Sequence, residues 1–249
     1  MFKGYYTLTS SMITQNKNMD VISNNLTNTS TPGYKKQQFV SGTFKDVLYS
    51  QSANNVTGAI NQGIGNVSMI SAPYETVTNY EDGAWDETGG NLDFAIKGKG
   101  FFKIQGDDGV KYTRNGSFTI DDEGYLTLKG QGRVVGKNGN IYMSTDSINV
   151  DNEGNIIGGN GQILGTIDVV DFADYAQLTK AGEGVFTTGA QEVPMPSSLI
   201  WKTVETSNVN AADEMTSMIN SQRVLQSAAQ VLKMYDQLAN KAATEIGRV

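Results

Sequence analysis

Cysteine and histidine are both absent from the 249 residues. The first absence excludes disulfides, thiolate metal ligands and cysteine nucleophiles. The second removes imidazole ligands and the side chain best suited to general-base work near neutral pH. Only carboxylates remain for acid–base or calcium chemistry, so the expectation is a non-enzyme without metal or cofactor. No apolar run reaches the ~18 residues that a membrane-spanning helix needs, and no membrane insertion is expected. Positive charge is not in excess: 19 Lys and Arg face 26 Asp and Glu, for a net charge of −7. With no basic stripe, nucleic acid is not an expected partner. The opening residues, MFKGYYTLTSSMITQNKNMD, have neither the continuous apolar core nor the small-residue cleavage site of a secretory leader. A route out of the cytoplasm, if used, is expected to need no such leader.

What is present falls into three stretches, 1–36, 37–206 and 207–249. In the first, Leu8, Met12, Gln15, Met19, Ile22 and Leu26 alternate steps of four and three, the spacing of a heptad seam with one polar position. A helix of that length is marginal alone in water and needs a partner along its stripe. In the last, Asn210 is a suitable N-cap and Asp213 and Glu214 suit the first helical turn. Met215, Ile219, Gln222, Leu225, Ala229, Leu232, Tyr235, Leu238, Ala242 and Ile246 then follow three- and four-residue steps almost to the end. Two geometries are open. The helices pair side by side within one chain, or their seams pair between chains and make the protein the subunit of a polymer.

The middle stretch reads as β structure. Short alternating segments such as NLDFAIKG, GFFKIQ and GTIDVVDF recur between glycine-rich turns. Two pieces resemble each other, SFTIDDEGYLT (117–127) and SINVDNEGNII (147–157). They predict a repeated hairpin in which Asp121 and Asp151 start the turn and Gly124 and Gly154 supply its positive φ. The acidic turns lack the ligand register of a calcium loop. The expected fold is therefore α+β and mainly β, with two heptad helices flanking a β-rich middle.

SNNLTNTSTPGYKK (23–36) joins the first helix to the middle. Pro32 cannot continue a helix and pushes Thr31 into an extended conformation, and Pro32-Gly33 suits the centre of a type II turn. Asn24, Asn25 and Asn28 are weak helix formers whose amides can satisfy terminal carbonyls or a neighbouring chain. Tyr34 can bury its ring while keeping its hydroxyl bonded. The Asn24/Asn25 pair is expected to make contacts between subunits.

The same stretch closely resembles the Asn-Asn-[Leu/Ile]-Ala-Asn-x-x-Thr-Pro-Gly-Tyr-Lys signature of bacterial flagellar rod and hook axial proteins, which includes Lys35. SNVNAADEMTSMINSQRVLQSAAQVLKMYDQL, with Arg223 in its Gln-Arg pair, resembles their C-terminal signature. GGNLDFAIKGKGFFKIQ and YTRNGSFTIDDEGYLT are similar to motifs of their middle region. The resemblance covers essentially the whole chain in order. Departures include Thr27 in place of Ala, and Leu225, Gln226, Ala228 and Gln230 in place of an aromatic, Glu, Asn and Lys. Length favours the rod-type members over the hook type, and within the rod group the resemblance leans to the distal over the proximal type. The resemblance implies a structural subunit of the basal-body rod. Its terminal helices would polymerise into a shaft that transmits torque from motor to hook. It also implies export through the flagellar type III apparatus without a cleaved leader, a location outside the cytoplasmic membrane, and neighbouring rod and hook proteins as partners besides copies of itself. The alternatives are a β-rich adhesin or carbohydrate-binding module using Trp85 and Trp201, and a carboxylate enzyme drawing on Asp93, Asp121, Asp168 and Asp171.

Overall fold

A helix of 26 residues (α1, Phe2–Thr27) and one of 36 residues (α2, Ala211–Ile246) flank a long series of short strands. The chain is α+β and mainly β. The computed structural model describes residues 2–43, 46–53, 60–68, 71–143, 145–182, 184–196 and 198–247, without the side chains of 2, 3, 43, 46–53, 60–68, 71–74 and 246. The Ile246 side chain at the end of the C-terminal stripe therefore lies outside the described residues. The chain divides into two compact units. One takes Met1–Leu26, Gln37–Asn79 and Ala211–Val249, and the other Thr27–Lys36 and Tyr80–Asn210.

The first unit holds the two helices and antiparallel strand pairs. Gln37–Thr43 pairs with Ser71–Thr78, and Asp46–Ala53 with Ile60–Ser68.

The second unit is the β unit. In its main antiparallel sheet, Phe101–Gly106 lies between Gly109–Thr113 and Gly132–Gly136 and also pairs with Val169–Phe172. Side chains alternate between the faces of a strand, so the doublets Phe101-Phe102 and Val169-Val170 signal a sheet covered on both faces. Phe102 and Val169 belong to one core with Ile104, Phe118, Leu126 and Ile156. Phe101 and Val170 belong to the other, with Tyr112, Phe172 and Phe186. Both phenylalanines of the doublet are buried, and each such burial contributes roughly 1.5–3 kcal/mol relative to exposure. The second core is an aromatic cluster in which Tyr112 meets Phe172 edge to face at 4.8 Å and Phe101 meets Phe186 at 5.8 Å.

The repeated hairpin forms as the sequence predicts. Asp121 Oδ1 accepts from the amides of Glu123 (3.0 Å) and Tyr125 (2.7 Å). Asp151 Oδ1 accepts from those of Glu153 (3.1 Å) and Asn155 (2.9 Å). Gly124 and Gly154 have φ of 85° and 84°, which an L-residue reaches only at a cost.

Candidate functional site

α1 and α2 run antiparallel, and three contacts fix their register. Asn25 Nδ2 donates to Glu214 Oε2 at 3.3 Å and Asn18 Nδ2 to Ser221 Oγ at 3.4 Å. Gly4 lies against Tyr235, whose hydroxyl oxygen would stand 2.9 Å from a Cβ placed there. Asn18 and Asn25 are seven residues apart, as are Glu214 and Ser221; Gly4 and Tyr235 lie two further heptads out. A seven-residue repeat on both helices keeps one stripe on each facing the other. The facing stripes mix small, polar and apolar side chains, and on α2 Leu225 and Leu232 are half-buried on the same stripe as Ser221. Thr14 (7% exposed), Ile22 (6%) and Asn25 (1%) are the buried members on α1, and Glu214 and Ser221 (both 4%) on α2. Small side chains let two helices approach closely, and each buried polar group then needs a bond.

The most exposed apolar residues of α2 lie on both sides of its buried stripe. Met215 (52% exposed), Ile219 (51%) and Leu238 (62%) face solvent, as do Val224 and Met234. Gln222, Arg223 and Ala229 are also exposed, whereas Leu225, Leu232 and Tyr235 are half-buried. On α1, Leu8, Met12, Gln15, Met19 and Leu26 are half-buried and Ile22 is buried, while Tyr5, Tyr6 and Ile13 are exposed. The helix pair thus joins through a mixed polar and apolar stripe and leaves apolar surface uncovered on both members.

The junction belongs to the β unit from Thr27 onward. The Thr31–Tyr34 turn is closed by the Tyr34 amide donating to Thr31 O (3.3 Å), with φ of 67° at Gly33 and a half-buried Pro32. Thr31 Oγ1 donates to Oδ1 of the buried Asn28. A Cβ on Gly33 would come within 2.3 Å of the Arg114–Asn115 backbone, so only glycine fits. Tyr34 is fully buried, with its hydroxyl accepting from Lys180 Nζ at 3.0 Å.

Lys35 enters the interior beside it. Its Nζ donates to Glu205 Oε1 (2.6 Å) and Glu81 O (2.7 Å). Arg114 NH1 donates to the other Glu205 oxygen at 3.2 Å, and the Gly83 amide donates to Oε1 at 3.0 Å. Burial holds the Lys35 ammonium below its ordinary pKa, the Glu205 carboxylate opposing that shift and the nearby Arg114 charge adding to it. The two chain segments that lead to the helices are also stitched together here. The Lys36 amide donates to Asn208 Oδ1 (2.7 Å), and the Gly33 amide to Glu205 O (2.7 Å). Sequence reasoning places Lys35 in this motif and misses Glu205, Asp82 and Asn208. No local pattern announces partners so distant in the chain.

Asn25, expected to meet another subunit, is bonded within its own chain. It is 1% exposed, and its side chain brackets Gln37, donating to the carbonyl (2.8 Å) and accepting from the amide (3.0 Å). Asn24 is exposed. The carboxylates considered for catalysis are engaged separately. Asp121 pairs with Arg133, Asp171 accepts from the Tyr175 hydroxyl, and Asp93 accepts from Thr88. Burial raises the pKa of Asp168. Trp85 is exposed, and the half-buried Trp201 donates its indole N–H to Asn91 O.

Two terminal helices of one chain, paired antiparallel with apolar surface left open, flank a β-rich middle in the chain order of axial proteins. Comparisons with known proteins narrow the class. Residues 6–35 match the flagella basal body rod protein family, 95–158 the flagellar hook protein FlgE/F/G D1 domain, and 202–245 the flagellar basal body rod FlgEFG protein C-terminal family. The flagellar basal-body rod protein FlgG of Bacillus subtilis strain 168 is 32% identical over 96% of this chain and 97% of its own length. FlgG of Buchnera aphidicola subsp. Schizaphis graminum is 30% identical, over 91% and 93%. The flagellar hook-basal body complex protein FlhO of Bacillus subtilis strain 168 is 28% identical over the full length of both. The chain belongs to the flagellar basal-body rod protein family.

Proposed function

We propose that the protein is a structural subunit of the flagellar basal-body rod. It polymerises with copies of itself and with neighbouring rod and hook proteins into the shaft that carries torque. The observation that carries this reading is the open apolar surface of α2, with Met215, Ile219 and Leu238 each more than half exposed on a helix already paired with α1. Exposed apolar surface is costly on a monomer and is relieved when neighbouring helices cover it. The finer assignments rest on the same footing. The terminal helices are the assembly elements, residues 27–36 and the β unit form the body that the shaft carries, and the role is structural rather than catalytic. Location beyond the cytoplasmic membrane, export through the flagellar type III apparatus and the distal position within the rod complete the reading.

The test is the double variant Ile219→Asp/Leu238→Asp. Both sites are exposed, so the purified monomer should keep its circular dichroism spectrum and thermal midpoint. Cells carrying it should be non-motile and yield no rods by electron microscopy. Normal rods would remove this α2 surface from assembly.

A further inference from the structure

Three Asn-Gly pairs lie in the β unit: Asn115-Gly116, Asn138-Gly139 and Asn160-Gly161. Turn formation accounts for such pairs, since both residues suit the backbone of tight turns. The pair is also chemically reactive. The glycine's backbone nitrogen can attack the side-chain carbonyl carbon of the asparagine, because a residue without a Cβ leaves the approach open. A bond forms between that nitrogen and Cγ, and the Cγ–Nδ2 bond breaks. The departing NH2 takes the proton lost by the attacking amide and leaves as ammonia. Water then opens the resulting succinimide at one of its two carbonyls, giving aspartate or isoaspartate. No electrons change hands, and water is the single co-reactant.

The attack requires the carboxamide to swing over the next peptide nitrogen. A side chain pinned elsewhere, or a main chain locked by packing, slows it. Two of the three pairs are held in this way. Asn115 is half-buried, and its Oδ1 accepts from the Ser117 amide at 2.9 Å. Its glycine is locked as well: Gly116 O accepts from the Phe94 amide at 3.0 Å, and a Cβ on Gly116 would overlap Phe94 O. Asn160 is exposed but pinned at both ends of its carboxamide. Nδ2 donates to Gln162 Oε1 and Oδ1 accepts from the Gln162 amide, each at 3.2 Å.

Asn138 differs on each count. Lys137 and Asn138 form the two-residue loop between Gly132–Gly136 and Gly139–Asn140, which close on the Gly136/Gly139 pair. Asn138 is exposed, and its carboxamide makes no hydrogen bond to another described residue. Gly139 has φ of 108°, and a Cβ there would meet nothing within 4 Å, so no neighbour crowds the attack. The Lys137 amide donates to Thr166 O at 3.0 Å. That bond anchors the loop's first residue and leaves the reacting carboxamide beyond it. We infer that Asn138 is a site of spontaneous deamidation in the folded protein, and that the fold protects Asn115 and Asn160. The product places a new carboxylate in the loop and, as isoaspartate, lengthens its main chain by one carbon. The site lies within the β unit and does not depend on how the helices assemble.

The experiment is storage of the full-length protein in mildly alkaline buffer, followed by tandem mass spectrometry of its peptides and enzymatic methylation to reveal isoaspartate. Asn138 should convert about tenfold faster than Asn160, whose two side-chain bonds must first break, with Asn115 slower than Asn138 as well. The same incubation in denaturing urea removes those contacts, and the three rates should converge. Asn138→Gln should abolish the fast conversion and keep the thermal midpoint. Conversion of Asn115 or Asn160 as fast as Asn138 in the folded protein would overturn the assignment. So would a rate order that persists unchanged in urea, because it would then belong to the local sequence and not to the fold.

Discussion

Lys35 and Glu205 stand 170 residues apart in the chain and meet at 2.6 Å inside the β unit, each side chain 1% exposed. Glu205 also accepts from Arg114, so one carboxylate neutralises two buried cations while Asp82, half in solvent, lies 3.6 Å from Arg114. Desolvating such a pair costs about as much as the attraction returns, and the penalty falls on whichever variant removes one partner. Glu205→Gln leaves both cations without their buried counter-charge. Chemical denaturation of the purified protein should show a loss of about 3–5 kcal/mol. In a double-mutant cycle, Lys35→Met/Glu205→Gln should cost clearly less than the two single changes added together. Additive costs would mean that the pair does not act as a unit.

Gly33 is the second fixed point of the junction. Alanine there must adopt φ near 67° and place its Cβ 2.3 Å from main-chain atoms of Arg114 and Asn115. The expected loss is about 2–4 kcal/mol from backbone strain and overpacking together. Gly89 has φ of 74°, but a Cβ there would meet nothing within 4 Å, so Gly89→Ala should cost only about 1 kcal/mol. Thermal midpoints of the two variants measure the difference, and equal losses would show that the close approach at Gly33 has no energetic weight.

Limited proteolysis of the whole protein should respect the same boundary. Residues 27–36 belong to the β unit rather than to the unit that holds α1. Trimming from the N-terminal side should therefore stop near Thr27, leaving the Tyr34–Lys35 segment in the resistant fragment. Mass spectrometry of the fragments reads this directly. Loss of residues 27–36 from a still-resistant β unit would contradict the packing.

Three carboxylates make the β unit sensitive to acid. The Tyr125 amide, then Arg133 and the Glu123 amide, hold Asp121 below its ordinary pKa. Asp151 is lowered by Asn155 and the Glu153 and Gly154 amides against a desolvation that would raise it. Desolvation likewise opposes the lowering of Glu192, where hydrogen bonds from Lys103 and Tyr112 prevail. A folded pKa below the unfolded one gives stability that is full above the unfolded value and is lost as pH falls through the folded value. Denaturation midpoints should therefore drop below about pH 4. Asp121→Asn and Asp151→Asn should each flatten that drop. Lys35 has the same sense in an alkaline window. Its lowered pKa means stability rises as pH climbs from the folded value toward the unfolded one, and Lys35→Met should remove that rise.

Much of the fold is legible in the sequence because it is periodic or local. The two helices follow from their three- and four-residue steps. The twin hairpins follow from Asp121/Gly124 and Asp151/Gly154, where turn chemistry is written within a few residues. The face by which the helices pair is not legible. Three- and four-residue apolar steps pick both open residues (Met215, Ile219, Leu238) and residues of the pairing stripes (Ile22, Leu225, Leu232, Tyr235). The polar contacts that fix the register, Asn25 with Glu214 and Asn18 with Ser221, carry no apolar signature. Asn25 is a related case: an amide looks the same in sequence whether it meets another subunit or brackets Gln37. The Lys35–Glu205 pair joins segments too distant for any spacing rule.

The central claim is that the rod subunit keeps α1 and α2 paired within one chain along the stripe of Asn18 and Ser221, leaving exposed apolar residues such as Ile219 for its neighbours. A chain without cysteine allows a clean cross-link. The measurement is oxidation of isolated rods carrying Asn18→Cys/Ser221→Cys, followed by non-reducing electrophoresis. The account predicts a disulfide within each subunit, seen as a monomer of altered mobility that reverts on reduction. Disulfide-linked dimers and higher ladders would place Asn18 against the Ser221 of another subunit and contradict it.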